Sequence, residues 1–306
     1  NGDMLNKGFS ISLNGYPVKT KNFRWYMSTY YSVNLNKVQT DDARNYNLND
    51  YLNGTAVVSG QPISTFYSYK FLGLNPQNGA PMFDDWEDRW HLLQGKTLDE
   101  VVPMILVNSG TRDPKFSGDL NNTFTYKNWS LSLNFSYSLG SKVRLFEMYG
   151  PIINGISAAA NVREEFLDRW QVPGDEKYTV YPLIISPSSP DYEHYRLHYS
   201  APQRAVGPNS GVPAFANNVW QMYDDSDLRV VSGNYLKLQS LSFSYRLNDR
   251  LLRKTPFTQL SISFNTHNCF TISAKELRGQ DPSQAGFADA GLSIRPSYTI
   301  GLNVSF

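Results

Sequence analysis

The amino-acid sequence predicts an all-β chain, an antiparallel segment of a transmembrane β-barrel with long extracellular loops. Three observations predict it: strict alternation of apolar and polar side chains, strands of ten residues or more, and connections that alternate between short and long. In Trp129 to Leu139, Trp129, Leu131, Leu133, Phe135, Tyr137 and Leu139 interleave without error with Ser130, Ser132, Asn134, Ser136 and Ser138. Side chains of a pleated strand point to opposite faces in turn, so this is one apolar face and one polar face. The last residues repeat the pattern, with Tyr298, Ile300, Leu302, Val304 and Phe306 against Thr299, Gly301, Asn303 and Ser305, and so does Phe23 to Leu35.

Weaker alternation marks Lys7 to Tyr16, Thr65 to Phe71, Phe116 to Tyr126, Tyr235 to Leu247 and Gln259 to Thr266, with a short element near Gly79 to Phe83. These make about nine strands, several of the ~9–11 residues that cross a bilayer obliquely. Short connections are expected at Pro17 to Asn22, Leu74 to Asn78, Lys127-Asn128 and Asn248 to Thr255. Long ones are expected at Asn36 to Gly60, Asp84 to Pro114, Ser141 to Ser232 and His267 to Arg295. Aromatics gather near the short turns, at Phe23, Trp25, Tyr67, Tyr69, Phe71, Tyr126, Trp129, Tyr245 and Phe257, as in a girdle at one membrane interface.

Composition narrows the function classes. Lys and Arg total 28 against 27 Asp and Glu, so no net field attracts nucleic acid. One cysteine, Cys269, rules out an intrachain disulfide and a cysteine-cluster metal site. No apolar run reaches the ~20 residues of a membrane-spanning helix, the best candidate, Val101 to Val107, being interrupted by Pro103. The chain opens Asn1-Gly2-Asp3, without an initiator Met or a leader, which implies a cleaved or truncated start.

Several segments resemble landmarks of the SusC/RagA family of TonB-dependent transporters, in the family's order. They begin with Asn6-Lys7-Gly8-Phe9 and Asn34-Leu35-Asn36-Lys37-Val38, then Gly60-Gln61-Pro62 through Lys70 and Gly73-Leu74-Asn75-Pro76-Gln77-Asn78-Gly79-Ala80-Pro81. Gly110 to Leu120, Arg169-Trp170 with Pro173-Gly174-Asp175, and Ser232 to Leu238 follow. Gly279-Gln280-Asp281-Pro282 and Arg295 to Phe306 close the series. Asn268-Cys269-Phe270-Thr271 departs from the family's Asn-Leu-Phe-Thr and is expected at a loop edge.

The resemblance implies that residues 1–306 are the C-terminal portion of a TonB-dependent receptor barrel of roughly 22 strands, with plug and N-terminal strands absent. It further implies the outer membrane of a Gram-negative, Bacteroidetes-like bacterium and uptake of oligosaccharides or peptides. The partners it implies are a SusD-like surface lipoprotein, TonB acting through the missing N-terminal part, outer-membrane lipid and the glycan or peptide itself. Phe306, a terminal aromatic after an alternating strand, resembles the family's signal for barrel insertion. No cofactor and no catalytic residue are expected.

The expected outer loops carry Trp86, Trp90, Trp170 and Trp220, four of the six tryptophans, with Tyr192, Tyr195 and Tyr199. Aromatic rings suit stacking on sugars or anchoring a protein lid. The competing reading has them packing the loops together. Asn161 to Trp170 reads as a short helix with Glu164, Glu165 and Asp168 solvated.

Asp84-Asp85-Trp86-Glu87-Asp88 and Asp224-Asp225-Ser226-Asp227 lack the spacing of a calcium loop, and His194 and His198 lack the Glu of a zinc helix motif, so no metal is expected. Two other function classes share the strand pattern: a secreted β-sandwich carbohydrate-binding module, and a small passive porin or adhesin barrel.

Overall fold

The computed structural model describes residues 3–40, 46–84, 86–93, 95–152, 162–184, 219–283 and 295–306, with the side chains of Glu87, Asp88 and Trp90 left aside. These residues form two compact units. A sheet unit contains Leu5–Asn36, Asp113–Ser141 and Ser232–Phe306, and a loop unit contains Lys37–Arg112 and Lys142–Val231 together with the first four residues.

The sheet unit is a seven-stranded antiparallel meander of β1 (Met4–Lys19), β2 (Phe23–Val38), β3 (Phe116–Tyr126), β4 (Trp129–Leu139), β5 (Tyr235–Arg246), β6 (Gln259–Ser273) and β7 (Ser297–Ser305). Each strand pairs with its neighbour in sequence, leaving β1 and β7 at the edges. The connections at one end are short, residues 20–22, 127–128 and 247–258. Those at the other are long, residues 39–115, 140–234 and 274–296.

Register carries the alternation across strands. Leu131 of β4 faces Phe124 of β3 and Phe243 of β5, Phe243 faces Phe264 of β6, and Phe264 faces Ile300 of β7. One continuous apolar surface results, and at the β7 edge it is open, with Ile300 77% and Leu302 68% exposed. The opposite face is polar and bonded across strands, Ser242 Oγ donating to Asn265 Oδ1 at 2.6 Å and Gln239 Nε2 to Ser136 Oγ at 2.8 Å. Asn122 falls on the apolar face, where its Oδ1 accepts the Trp25 indole N–H at 2.9 Å. Beside the short turns Phe23, Tyr126, Trp129 and Tyr245 line up across four strands, with Trp129 and Tyr245 ring centroids 4.3 Å apart.

The expected nine strands become seven in this sheet. Thr65–Tyr69 and Pro81–Met82 belong to the loop unit, in two-stranded ladders with Leu106–Thr111 and Gly73–Leu74. All five residues of Thr65–Tyr69 are buried, so neither of its faces meets solvent or lipid. Residues 39–115 therefore form one long connection, and the turn near Leu74 to Asn78 is internal to it. Tyr67 and Tyr69 belong to the loop core, not to the interface row.

Two bulges also depart from expectation. In β5, Gln239 is an extra residue between Leu238 and Ser240, so the apolar positions shift from even to odd numbers along the strand. In β6 the register slips beside Asn268, whose φ of +54° bends the strand without ending it, so Asn268 to Thr271 lie inside β6 and not at a loop edge.

Gly118 of β3 allows a close approach. A Cβ there would lie 2.0 Å from the Tyr30 carbonyl oxygen and 2.5 Å from the Tyr137 hydroxyl, because the Tyr137 side chain lies across the glycine. Aromatic cover over a strand glycine replaces the packing that the missing side chain forgoes. Gly118→Ala is expected to cost about 1–3 kcal/mol by overpacking. A lowered guanidinium unfolding midpoint checks this, and Gly15→Ala, where a Cβ meets open space, is the matched control.

Candidate functional site

Of the residues expected to meet substrate or lid, those whose side chains are described, Trp86, Trp170 and Trp220, belong to the loop unit. Helix α1 (Leu48–Asn53) starts at a reciprocal cap between Asn47 and Asp50 and ends at Gly54, φ +66°. Helix α2 (Leu98–Ile105) starts at Thr97 with Glu100 and buries Val101, Val102 and Ile105. These helices, Tyr67 and Tyr69, Met148 and Tyr149, Phe166, and helix α3 (Val219–Asp224) share one apolar core. Its centre is aromatic, with Tyr149 edge-on to both Phe166 and Tyr223 at centroid distances of 5.1 and 5.3 Å.

Charged groups buried in this core join segments far apart in sequence. The Asp224 side chain, within a residue only 3% exposed, accepts the backbone N–H groups of Met148, Tyr149 and Gly150 at 2.9, 2.8 and 2.9 Å. Arg144 donates to the carbonyls of Tyr67 (2.7 Å) and Leu52 (3.2 Å) and to Ser68 Oγ (3.1 Å), and it lies 3.8 Å from Asp225. Arg229 donates to the Phe146 carbonyl at 2.7 Å. Burial pushes the Asp224 carboxyl up to about 6, outweighing the opposing pull of Arg229 and the three N–H donors. Every partner named is structural, and the cluster is closed to a substrate.

The tryptophans pack this unit. Trp86, Trp170 and Trp220 are 7%, 4% and 4% exposed, so their rings lie inside the unit and offer no free face for stacking. Trp170 lies against Gly79, where a Cβ would come within 2.4 Å of the indole, and its N–H donates to Glu176 Oε2 at 3.3 Å. The Trp220 N–H donates to the Leu183 carbonyl at 3.2 Å. Trp86 takes φ +60°, and the Arg89 guanidinium stands 4.3 Å from its ring centroid. Buried indoles need a partner for the N–H, and two of these three find one within the unit.

The side chain of Trp90, with Tyr192, Tyr195, Tyr199, His194 and His198, lies outside the described residues. Phe306 is exposed at the end of β7, its ring 5.2 Å from that of Phe257.

Glu165 departs from the solvated expectation: it is buried, and Arg163 Nη2 donates to it at 2.6 Å. Asp84 pairs with Arg89, and among the described residues no group of three His, Cys, Asp or Glu gathers into a metal site. The most exposed apolar side chains among the unit's described residues gather instead around a short 3-10 helix, Glu164–Asp168. Leu167 and Val172 are exposed there, and Tyr178 is 90% exposed. An open depression of about 700 Å³ is lined by Val162, Phe166, Leu167, Arg169, Leu183 and other residues of that segment. The alternation that marks strands carries no signal for such a surface, and sequence reasoning passed over it.

Asp224→Ala is expected to destabilise the loop unit by about 2–4 kcal/mol, because it orphans three buried N–H groups. Faster protease cleavage within residues 142–152 checks this. The pH dependence has a definite sign. A carboxyl near 6 when folded, against an ordinary 3.8, binds its proton more tightly in the native state. Its contribution to stability is fully present below pH 3.8 and is lost as pH rises through about 6. Asp224 should therefore make loop stability greater at pH 5 than at pH 7.5 by about 1 kcal/mol, and Asp224→Asn should remove that share while leaving the like contribution of Asp225, whose carboxyl burial also pushes up to about 6.

No family model matches the chain. Over its whole length it is 23% identical to TonB-dependent receptor P3 and 21% identical to TonB-dependent receptor P39, both of Formosa agariphila, covering 29% and 30% of them. The structure of the RagAB peptide transporter superposes on all of the chain with a TM-score of 0.67 at 18% identity. The RagAB peptide importer in its closed-closed state does so with 0.66, again at 18%. The chain covers 30% of each of those two chains. The chain is thus similar in sequence to TonB-dependent receptors and has the fold of a part of the RagAB transporter barrel, and it spans less than a third of the proteins it matches.

Proposed function

We propose that the chain is the C-terminal wall and outer-loop part of an outer-membrane TonB-dependent importer. In this reading the importer takes up oligosaccharides or peptides together with a SusD-like surface lipoprotein. One observation carries it: a seven-stranded meander with a continuous apolar face open at its edge, a bonded polar face, and long connections at one end only. A lipid-facing wall needs that arrangement, whereas a soluble sandwich needs a second sheet over the apolar face. Likeness to TonB-dependent receptors and to the RagAB peptide importer supports the same assignment.

Energy from TonB would enter through a part of the protein beyond this chain, and this part would supply wall and loops. Its two edges, β1 and β7, carry unpaired backbone groups that cost several kcal/mol each in lipid. Further strands of the same protein would pair with them, which argues against a small passive porin closed by this chain alone. For the lipoprotein, the exposed Leu167, Val172 and Tyr178 surface is the better contact, beside which the buried Trp170 and Trp220 bond to Glu176 and Leu183. Trp90, Tyr192 and Tyr195 stay candidates for contact with substrate or lid. Phe306 would act as the insertion signal, and Phe306→Ala is expected to lower the yield of membrane-inserted protein.

The reading is tested by extracting the native outer membrane in mild detergent and measuring the intact mass and companions of the polypeptide. A mass far above 34.7 kDa with a co-purifying lipoprotein is expected. A buffer-soluble 34.7 kDa species without companions would overturn it.

A further inference from the structure

Lys237 lies on the polar face of the sheet, since its register partners are Ser136 of β4 and Thr271 of β6. A charge on an open sheet face is ordinarily wet. This one is dry: the Lys237 side chain is 5% exposed and its ammonium donates to Asp281 Oδ2 at 2.8 Å, with the Asp281 side chain 8% exposed. Asp281 belongs to the connection after β6, so that connection turns back over the polar face instead of leading away from the sheet.

The reversal is built into the local sequence. After β6 ends at Ser273, a single turn of 3-10 helix, Lys275–Leu277, leads into Arg278 at φ +45° and Gly279 at φ +85°. Two successive left-handed residues redirect the chain, and Leu277 is almost fully buried. Asp281 Oδ1 then accepts the Ser283 N–H at 2.9 Å and the Ser283 hydroxyl at 2.6 Å, which fixes the carboxylate and turns Oδ2 to Lys237. The neighbouring Gln280 amide is enclosed with neither nitrogen nor oxygen engaged, so it contributes no polar anchor. The ion pair is a buried polar tie between this segment and the sheet.

We infer that residues 274–283 form a strap docked across the polar face at its long-connection end and latched by the Lys237–Asp281 pair. The strap narrows the lumen side of the wall and releases as a unit when the latch is broken. Which side is the lumen rests on the barrel reading above; the strap and its latch do not. Removing one partner of a buried ion pair leaves an uncompensated charge, so loss of either group favours release.

The test uses the full protein in outer-membrane vesicles with Cys269→Ser and a reporter cysteine, Leu277→Cys, labelled by a water-soluble maleimide. Asp281→Asn and Lys237→Met should each speed labelling by at least about tenfold. The exchange Lys237→Asp with Asp281→Lys should return it toward the starting rate. Unchanged labelling in both single variants, or fast labelling with the pair intact, overturns the strap. A second reporter, Ser132→Cys, is read in parallel. Its reaction with the same reagent shows that the polar face lines an aqueous lumen, so a failure of the barrel reading is seen apart from a failure of the latch.

Discussion

A pleated strand turns successive side chains to opposite faces, and the whole sheet unit depends on that period of two being kept in register through seven strands. The pairing of Leu131 with Phe124 and Phe243, and onward through Phe264 to Ile300, makes separate apolar stripes into one surface. A slip of one residue between any two strands would put serine and asparagine on that surface and leucine on the polar one. The structure tolerates an extra residue at Gln239 because the bulge restores the phase on the far side, bringing Leu238 against Phe135 and Phe270. Bulge and alternation are one device here, and they leave a polar face on which a charge such as Lys237 can be placed and covered.

The loop unit obeys a different constraint. Its chain comes from two long excursions, and its core is too aromatic and too irregular for ladders alone to satisfy the backbone. Buried charges do so instead. Asp224 takes three N–H groups from residues 148–150, and Arg144 takes carbonyls from residues 52 and 67. Burying charge is costly, and it is worthwhile where each oxygen or nitrogen replaces water for several backbone groups at once. An interior bonded this way fixes the segments around Leu167 and Tyr178 to the rest of the unit.

How far the sequence revealed this follows from the same physics. β3 and β4 are legible to the residue, and β2 and β7 nearly so, because both of their faces have fixed and different surroundings. β5 looked weak only because Gln239 shifts its phase, and β6 looked too short because Asn268 interrupts its pattern. Thr65 to Phe71 reads as a wall strand in the sequence because a fully buried strand has no polar face to betray its location. The tryptophans were rightly placed in loops, but their burial is decided by segments distant in sequence, as Trp170 by Gly79. The roles of Asp224 and Arg144 were invisible for the same reason, their partners lying 74 to 92 positions away. The Lys237–Asp281 pair joins two of the family-like segments, Ser232 to Leu238 and Gly279 to Pro282, which nothing in their spacing connects.

In the proposed barrel wall one face of this sheet meets lipid and the other an aqueous interior. The most direct measurement places a nitroxide at each position from Ser130 to Tyr137 in the full protein, on a Cys269→Ser background in lipid vesicles, and reads collisions with oxygen and with a water-soluble nickel chelate. Oxygen accessibility should peak at Leu131, Leu133, Phe135 and Tyr137, with chelate accessibility peaking at the serines and asparagine between them. Low accessibility to both reagents at the leucines and phenylalanine would mean that protein covers the apolar face, and the membrane-wall account would be contradicted.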